Sequence, residues 1–203
     1  MTASDAEERA GLPVLAFADA AAWEAWLAAQ PPGSKGVWLK LAKKGSGIAS
    51  VSKAQAIDAA LCHGWIDGQL QPYDDRAWLV RFTPRKPRSK WSEVNRKRAQ
   101  ELIAEGRMSP AGLAEIEAAR SDGRWSQAYA PQRTAEVPAD LQSALDAAPA
   151  ARKLFGELDG ANRYAILYRI HDAKKPETRA ARIARFVDML NRGETIHPRR
   201  GKG

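Results

Sequence analysis

Apolar residues near the start of the chain recur at the spacing of a helix. Trp23, Trp26 and Leu27 follow the i, i+3, i+4 pattern of a helix with one apolar face. Asp19 precedes them in the position of an N-cap. The pattern predicts a helix over residues 20–29 whose two tryptophans lie in the core.

Three later segments alternate apolar and polar positions, which is the period of a strand. In the first of them, Val37, Leu39 and Leu41 share one face. A turn-rich stretch, Pro-Tyr-Asp-Asp, separates the second segment from the third. We expect a small antiparallel sheet from three strands, at residues 36–43, 65–71 and 77–83.

Capping residues mark the starts of further helices. Ser52 and Gln55 form a Ser-x-x-Gln capping box, and Gly64 supplies the stop of that helix. Ser92 and the Ser-Pro pair at 109–110 mark two more starts. From residue 139 onward the apolar residues show only helical spacing. The patterns therefore predict an α+β fold, in which helices pack on the small sheet, followed by an all-helical C-terminal module.

These patterns divide the chain into four parts. We expect an α+β domain at residues 14–125, a linker at 126–138 bracketed by Pro-containing turns, and a helical module at 139–198. A basic tail follows at 199–203.

Composition indicates a folded intracellular protein. The 203 residues are 44% hydrophobic and include seven Trp, which gives the chain large anchors for a core. The first residues lack a signal peptide, and no run approaches the roughly 20 apolar residues of a membrane span. The single cysteine, Cys62, fits a reducing compartment. We therefore expect a cytoplasmic location.

Positive charge is concentrated in two blocks. Residues 81–100 carry eight Lys or Arg against one Glu, and residues 163–203 carry eleven against four acidic residues, so each block has a net charge of +7. The whole chain has a net charge of +8. Such asymmetry bears on the choice of partner, and it favours an anionic one.

Residues 78–91 are the strongest candidate for a binding site, and we call them the basic-aromatic segment. Arginine offers a planar fork of donors that matches phosphate or carboxylate, and tryptophan offers a stacking face. The N-terminus of the helix that follows would add to an anion site. The alternative is that the tryptophans are core and the cations form surface ion pairs. The candidate ligand-binding residues are Trp78, Arg81, Arg85, Arg88, Lys90 and Trp91.

The stretch from Cys62 to Gly68 is a weaker candidate, at a junction of helix and strand. Cys62 and His63 are adjacent, and adjacent residues on a helix point about 100° apart, so they do not readily act on one target. A lone cysteine is more often a small buried hydrophobe. We expect no catalytic role for Cys62, and we add Trp65 and Asp67 to the candidate ligand-binding residues.

A second basic surface is predicted in the C-terminal module. Lys175, Arg179, Arg182 and Arg185 recur every three or four residues, opposite an apolar helix face. The first three are ligand-binding candidates for nucleic acid, an acidic membrane surface or a partner, although most such faces are only solvated. The three histidines are scattered and no nucleotide or hydrolase motif is present, so we expect no metal and no cofactor.

Several motifs resemble those of one bacterial family. They read Leu-Ala-Lys-Lys-Gly-Ser-Gly at 41–47, Ala-Leu-Cys-His-Gly-Trp-Ile-Asp-Gly at 60–68 and Phe-Thr-Pro-Arg-Lys-Pro-Arg-Ser-Lys-Trp-Ser at 82–92, with two shorter motifs at 162–164 and 173–179. In this order they resemble the YdeI/OmpD-associated family, also called bacteriocin-protection proteins. The resemblance implies a bacterial source, a link to survival against bacteriocins or antimicrobial peptides, and a YjbR/CyaY-like α/β sandwich in the N-terminal region. It implies no reaction and no catalytic residues.

Three functions remain open on the sequence. The first is a non-enzymatic, cytoplasmic protection protein that binds an anionic small molecule or an acidic protein surface through the basic-aromatic segment. The second is a nucleic-acid-binding protein that uses both basic blocks. The third is an enzyme for a small acidic substrate, with His63 and Asp67 as its acid or base, and it requires a pocket that contains both side chains.

Overall fold

The computed structural model describes residues 7–198 of the chain. The chain divides into two compact units, with the boundary between Ala128 and Tyr129. This boundary falls within the segment expected to be a linker, residues 126–138. The basic tail expected at residues 199–203 lies outside the described residues.

The first unit contains a five-stranded sheet. Its strands are β1 (Glu8–Arg9), β2 (Leu12–Ala16), β3 (Val37–Ala42), β4 (Trp65–Pro72) and β5 (Ala77–Pro84). Their order across the sheet is β1-β2-β3-β5-β4. The three predicted strands are β3, β4 and β5, and β5 pairs antiparallel with both of the others.

The first two strands make the sheet mixed rather than purely antiparallel, which the sequence patterns do not predict. β2 is only five residues long and contains Pro13, so it lacks a clear alternation. It pairs parallel with β3, with Val14 level with Trp38. Parallel neighbours need a crossover connection, and the first helix supplies it because it lies between β2 and β3 in the chain.

Four helices follow the predicted caps in the first unit. They are α1 (Ala20–Ala28), α2 (Lys53–Cys62), α3 (Glu93–Ala104) and α4 (Pro110–Ser121). The side chain of Asp19 accepts from the Ala22 N–H at 2.8 Å, and both halves of the Ser52–Gln55 capping box are formed. The Ser92 side chain accepts from the Asn95 N–H at the start of α3, and the Ser109 side chain accepts from the Gly112 N–H at the start of α4. All four predicted helix starts in the first unit are confirmed.

The core of the first unit has a main cluster and two smaller ones. α1 and α2 pack on the sheet face formed by Leu39, Trp65, Val80 and Phe82. A second cluster joins α2, α3 and α4 through Cys62, Trp91, Leu102 and Ile116, among others. The opposite face of the sheet buries Leu12, Trp38 and Leu79.

The second unit is mostly helical, as predicted. Its helices are α5 (Ala139–Asp146), α6 (Pro149–Glu157), α7 (Gly160–His171) and α8 (Pro176–Asn191). The apolar faces of all four meet in one core, which includes Leu141, Leu145, Phe155, Ile166, Ile170, Phe186 and Leu190.

Candidate functional site

The basic-aromatic segment joins the sheet to a helix. It begins in β5, leaves the sheet after Pro84, turns at residues 86–89 and ends immediately before Ser92, the N-cap of α3. Two prolines in this stretch lack the N–H that a further ladder would need. The chain therefore leaves the sheet at this point.

Arg85 and Trp91 are buried against each other. They are 6% and 1% exposed, and the guanidinium carbon of Arg85 lies 3.5 Å from the centre of the Trp91 ring. Arg85 also donates to the carbonyl of Lys90 at 3.2 Å. The Trp91 ring meets Trp125 edge-on, with 4.8 Å between the ring centres. Both residues thus contribute to packing, and Trp91 presents no ring face to solvent.

The turn at residues 86–89, which we call the basic turn, is held by three hydrogen bonds. The Lys86 N–H donates to the Ser89 hydroxyl and the Ser89 N–H donates to the Lys86 carbonyl, each at 2.8 Å. The third comes from Arg124, which is only 9% exposed and donates to the Ser89 carbonyl at 2.8 Å. Asp122 accepts from Nε of Arg124 at 2.7 Å and orients its guanidinium. The backbone of the basic turn is therefore held by its own hydrogen bonds and by the buried Arg124 side chain.

Arg124, which donates to the backbone of the basic turn, is not among the residues predicted from the sequence. It lies beyond the end of α4, and 35 positions separate it from Ser89. No pattern in the sequence links the two residues, because the link depends on how α4 packs.

The basic turn presents two cations to solvent. The side chains of Lys86 and Arg88 are exposed and, with Pro87 and Ser89, line an open cavity of about 410 Å³. Within residues 7–198, neither cation has a carboxylate partner. A guanidinium and an ammonium on one rigid turn can bind an oxyanion through charge-assisted hydrogen bonds.

The candidates in β4 and β5 lie on different faces of the sheet. Arg81 is level with Trp38 of β3, so it lies on the face away from α1 and α2. Asp67 is level with Phe82, so it shares the helix-covered face with Trp65. Arg81 therefore does not converge with Asp67 and Trp65 on one site.

Two tryptophans of this group differ in how far they are buried. Trp65 is 4% exposed and packs edge-on against Trp26, with 5.6 Å between the ring centres. Trp78 keeps part of its surface exposed, and the Lys53 ammonium lies 5.6 Å from its ring centre. Of the two, only Trp78 offers part of its ring to a ligand.

Two of the C-terminal candidates are engaged inside the second unit. Arg179 donates to the Asp140 carboxylate at 2.6 and 2.9 Å and to the Ile170 carbonyl at 3.1 Å. Arg182 donates to the carbonyl of Arg169. Both carbonyls belong to the last turn of α7, where cations are favoured. Lys175, the N-cap residue of α8, remains exposed.

The stretch that begins at Cys62 has the character of a structural junction. Cys62 is a free, fully buried cysteine, and burial raises the pKa of its thiol, which opposes thiolate formation at neutral pH. His63 ends α2, with its Nε2 3.8 Å from a carboxylate oxygen of Glu24. Neither His63 nor Asp67 lines the cavity at the basic turn. Among residues 7–198, no group of His, Cys, Asp and Glu is arranged to hold a metal ion.

Comparison with protein families gives a separate match for each unit. Residues 134–193 match the family described as Bacteriocin-protection, YdeI or OmpD-Associated. Residues 15–115 match the family described as Domain of unknown function (DUF8412). The second unit is thus similar to the family that the motifs resemble. The N-terminal match gives no support to a YjbR/CyaY-like region.

No curated protein and no solved structure matches the chain significantly. In the part of the chain that the structure describes, no helix is both long and apolar enough to cross a membrane.

Proposed function

We propose that this is a non-enzymatic, cytoplasmic binding protein that protects a bacterium against bacteriocins or antimicrobial peptides. Its ligand is an anionic small molecule or an acidic protein surface, which contacts the basic turn. The proposal is carried by one observation: Arg124 holds the basic turn from below while Lys86 and Arg88 point outward without a carboxylate partner among residues 7–198.

The rigidity of the turn is the reason to prefer it over other exposed cations. A lysine or arginine on a flexible loop requires that the backbone be ordered as well as the side chain when a ligand binds, and that cost reduces affinity. Here the backbone beneath both cations is already fixed by the Ser89 hydroxyl and by Arg124. The turn therefore loses less conformational entropy when a ligand binds.

The charge of the chain bears on how protection would work. A protein with a net charge of +8 repels a cationic peptide at long range, so direct capture of such a peptide is disfavoured. An anionic partner is attracted by the same field. We therefore infer that protection acts through an anionic ligand or partner and not through sequestration of the peptide.

Binding at the basic turn can be followed by tryptophan fluorescence. Trp91, which ends the basic-aromatic segment two residues after the turn, packs against Trp125. We expect a saturable fluorescence change on titration with pyrophosphate. The double variant Lys86→Gln/Arg88→Gln should weaken the affinity roughly a hundredfold or more, because it removes two charge-assisted contacts and each contributes about 1.5–3 kcal/mol.

The matched control removes two exposed lysines elsewhere, Lys44→Gln/Lys153→Gln, and leaves the turn intact. Equal affinity in the two double variants, or no response to excess pyrophosphate, would contradict the proposed site. If short oligonucleotides bind far more tightly than pyrophosphate, with a steep salt dependence, the nucleic-acid function is favoured instead.

The protective role has its own test in cells. A bacterial strain that lacks the protein should be more sensitive to a cationic antimicrobial peptide, and the wild-type chain should restore survival. Lys86→Gln/Arg88→Gln should restore it less well than the control variant at equal protein level. Equal survival with both variants would show that protection does not depend on the basic turn.

A further inference from the structure

A cavity in the second unit gathers polar and cationic groups outside the basic turn. Its volume is about 530 Å³, within the range of roughly 300–1,000 Å³ that is usual for small-molecule sites. It lies beside the first turns of α7 and is lined by Gln132, Arg133, Gly160, Arg163, Tyr164 and Leu167.

Two arginines line this cavity, and within residues 7–198 they have no carboxylate partner. Among the described residues, neither Arg133 nor Arg163 forms an ion pair, whereas other arginines of the second unit do, namely Arg152, Arg179 and Arg192. The guanidinium of Arg163 is held 4.7 Å from the centre of the Phe155 ring. That contact positions one cation at the cavity before any ligand arrives.

The remaining walls supply a neutral hydrogen-bonding group and apolar surface. The Tyr164 hydroxyl donates to the Ala130 carbonyl at 2.9 Å, which fixes the ring. Burial raises the pKa of Tyr164, so the phenol adds no negative charge near neutral pH. Leu167 contributes an apolar side chain from the next turn of α7.

Gly160 leaves room for the side-chain amide of Gln132. A methyl group at position 160 would lie 2.5 Å from Nε2 of Gln132, so any larger residue must displace that amide. The neighbouring carboxylate of Asp159 already accepts from the Asn162 N–H at 2.8 Å as the N-cap of α7. The amide and the two guanidinium groups, and not the helix terminus, are therefore the groups available to a ligand.

We propose that this cavity binds a small organic anion. Arg133 and Arg163 hold its carboxylate or phosphate group, the Gln132 amide bonds to a polar atom, and its apolar body lies against Tyr164 and Leu167. The site uses none of the residues of the basic turn.

The test is a titration of the full-length, ¹⁵N-labelled protein followed by NMR. The probes are phenyl phosphate, benzoate, inorganic phosphate and uncharged benzyl alcohol. We expect saturable shifts at the Gly160 amide and the Gln132 side chain with phenyl phosphate or benzoate, and weaker binding of the other two probes. Arg133→Gln should weaken the binding about tenfold, the effect of one charge-assisted hydrogen bond.

Two more variants separate binding from folding. Gly160→Ala changes no charge and is compatible with a helix, and it should weaken binding several-fold because the methyl group displaces the Gln132 amide. Arg185→Gln removes an exposed arginine of α8 that does not line the cavity and should leave the affinity unchanged, as should Lys86→Gln/Arg88→Gln.

Three results would overturn the proposal. One is the absence of saturable shifts at Gly160 and Gln132. Another is equal affinity of Arg133→Gln and Arg185→Gln for phenyl phosphate. The third is binding of inorganic phosphate or benzyl alcohol as tight as that of phenyl phosphate, since either probe lacks half of the recognised chemistry.

Discussion

Some cationic side chains of this protein are buried in the core and others face solvent, and the chemistry of each side chain helps to decide its position. Arg85 and Arg124 are buried, one stacked on Trp91 and the other bonded to the backbone of the basic turn. A guanidinium is planar and weakly hydrated, so it stacks and bonds inside a fold at lower cost than an ammonium. Lys86 and Arg88 face solvent. The composition of the basic-aromatic segment thus reflects packing as well as any ligand.

Gly112 is a residue where a single methyl group should destabilise the first unit. It lies in the first turn of α4, and a methyl group there would lie 2.3 Å from the carbonyl oxygen of Cys62. That oxygen also accepts from the Ser109 hydroxyl at 2.7 Å, so the backbone of α2 cannot easily move away. We expect Gly112→Ala to lower the free energy of unfolding by roughly 1–3 kcal/mol, the usual cost of overpacking. Urea denaturation followed by tryptophan fluorescence measures it.

Gly68→Ala is the control for this prediction, because it adds the same methyl group in the same unit. At position 68 the nearest atom would be a carbonyl oxygen of Arg81 at 3.6 Å, an ordinary contact. Its effect should stay within about 0.5 kcal/mol. Similar denaturation midpoints for the two variants would mean that α2 and α4 are not as close as described.

Among the secondary-structure elements, helix starts could be predicted from the sequence and the second strand could not. A cap is local: Ser52 and Gln55 are three residues apart and complete each other's hydrogen bonds. β2 depends on a partner more than 20 positions away, since Val14 pairs with Trp38 and α1 lies between the two strands in the chain. Its short sequence with Pro13 carries little signal of its own.

The same distinction applies to the candidate site. The charge and aromatic content of the basic-aromatic segment are visible in the sequence, but the burial of Trp91 and Arg85 depends on Trp125 and on helix packing. In the second unit, the helical spacing of Arg179 is visible, whereas its carboxylate partner Asp140 comes from another helix, 39 positions earlier. Contacts of this kind cannot be read from spacing along one element.

That ion pair links α5 to α8 and predicts a change of stability with pH. The Arg179 guanidinium, by hydrogen bonding, holds the pKa of Asp140 below its usual value. A carboxylate whose pKa is lowered by folding stabilises the protein above its unfolded pKa, about 3.9, and this contribution disappears as the pH falls through the folded pKa. Wild-type protein should therefore lose more stability than Asp140→Asn between neutral pH and about pH 3.

The size of this effect should be small, because the two side chains are 45% and 29% exposed and solvent screens their attraction. We expect a coupling of about 0.2–1 kcal/mol. A double-mutant cycle with Asp140→Asn and Arg179→Gln, measured by circular dichroism at neutral and acidic pH, isolates it. A coupling free energy that is zero at neutral pH, or that grows as the pH falls, would contradict the prediction.

For the whole molecule, each core cluster is confined to one unit. The three clusters of the first unit use residues between 12 and 128, and the cluster of the second uses residues between 135 and 196. The two family matches follow the same division, since one falls within the first unit and the other within the second. Because each of these four clusters is built from residues of one unit, we expect the two units to unfold as separate cooperative transitions.

The distribution of tryptophan allows this expectation to be tested without cutting the chain. All seven tryptophans precede residue 129, so tryptophan fluorescence reports on the first unit, while helical circular dichroism reports on both. Ile170→Ala should destabilise the second unit by about 2–5 kcal/mol, because Ile170 is completely buried. It should shift part of the circular dichroism transition to lower urea and leave the fluorescence transition in place.

The reciprocal variant, Ile116→Ala, makes the same change at an isoleucine of the first unit that is 1% exposed. It should shift the fluorescence transition and leave the rest of the circular dichroism transition unchanged. If either variant moves both transitions together, the units unfold as one cooperative body. Ligand binding at the basic turn would then stabilise the second unit as well as the first, by the linkage between binding and folding. With independent units, pyrophosphate bound at the basic turn should raise the fluorescence midpoint alone.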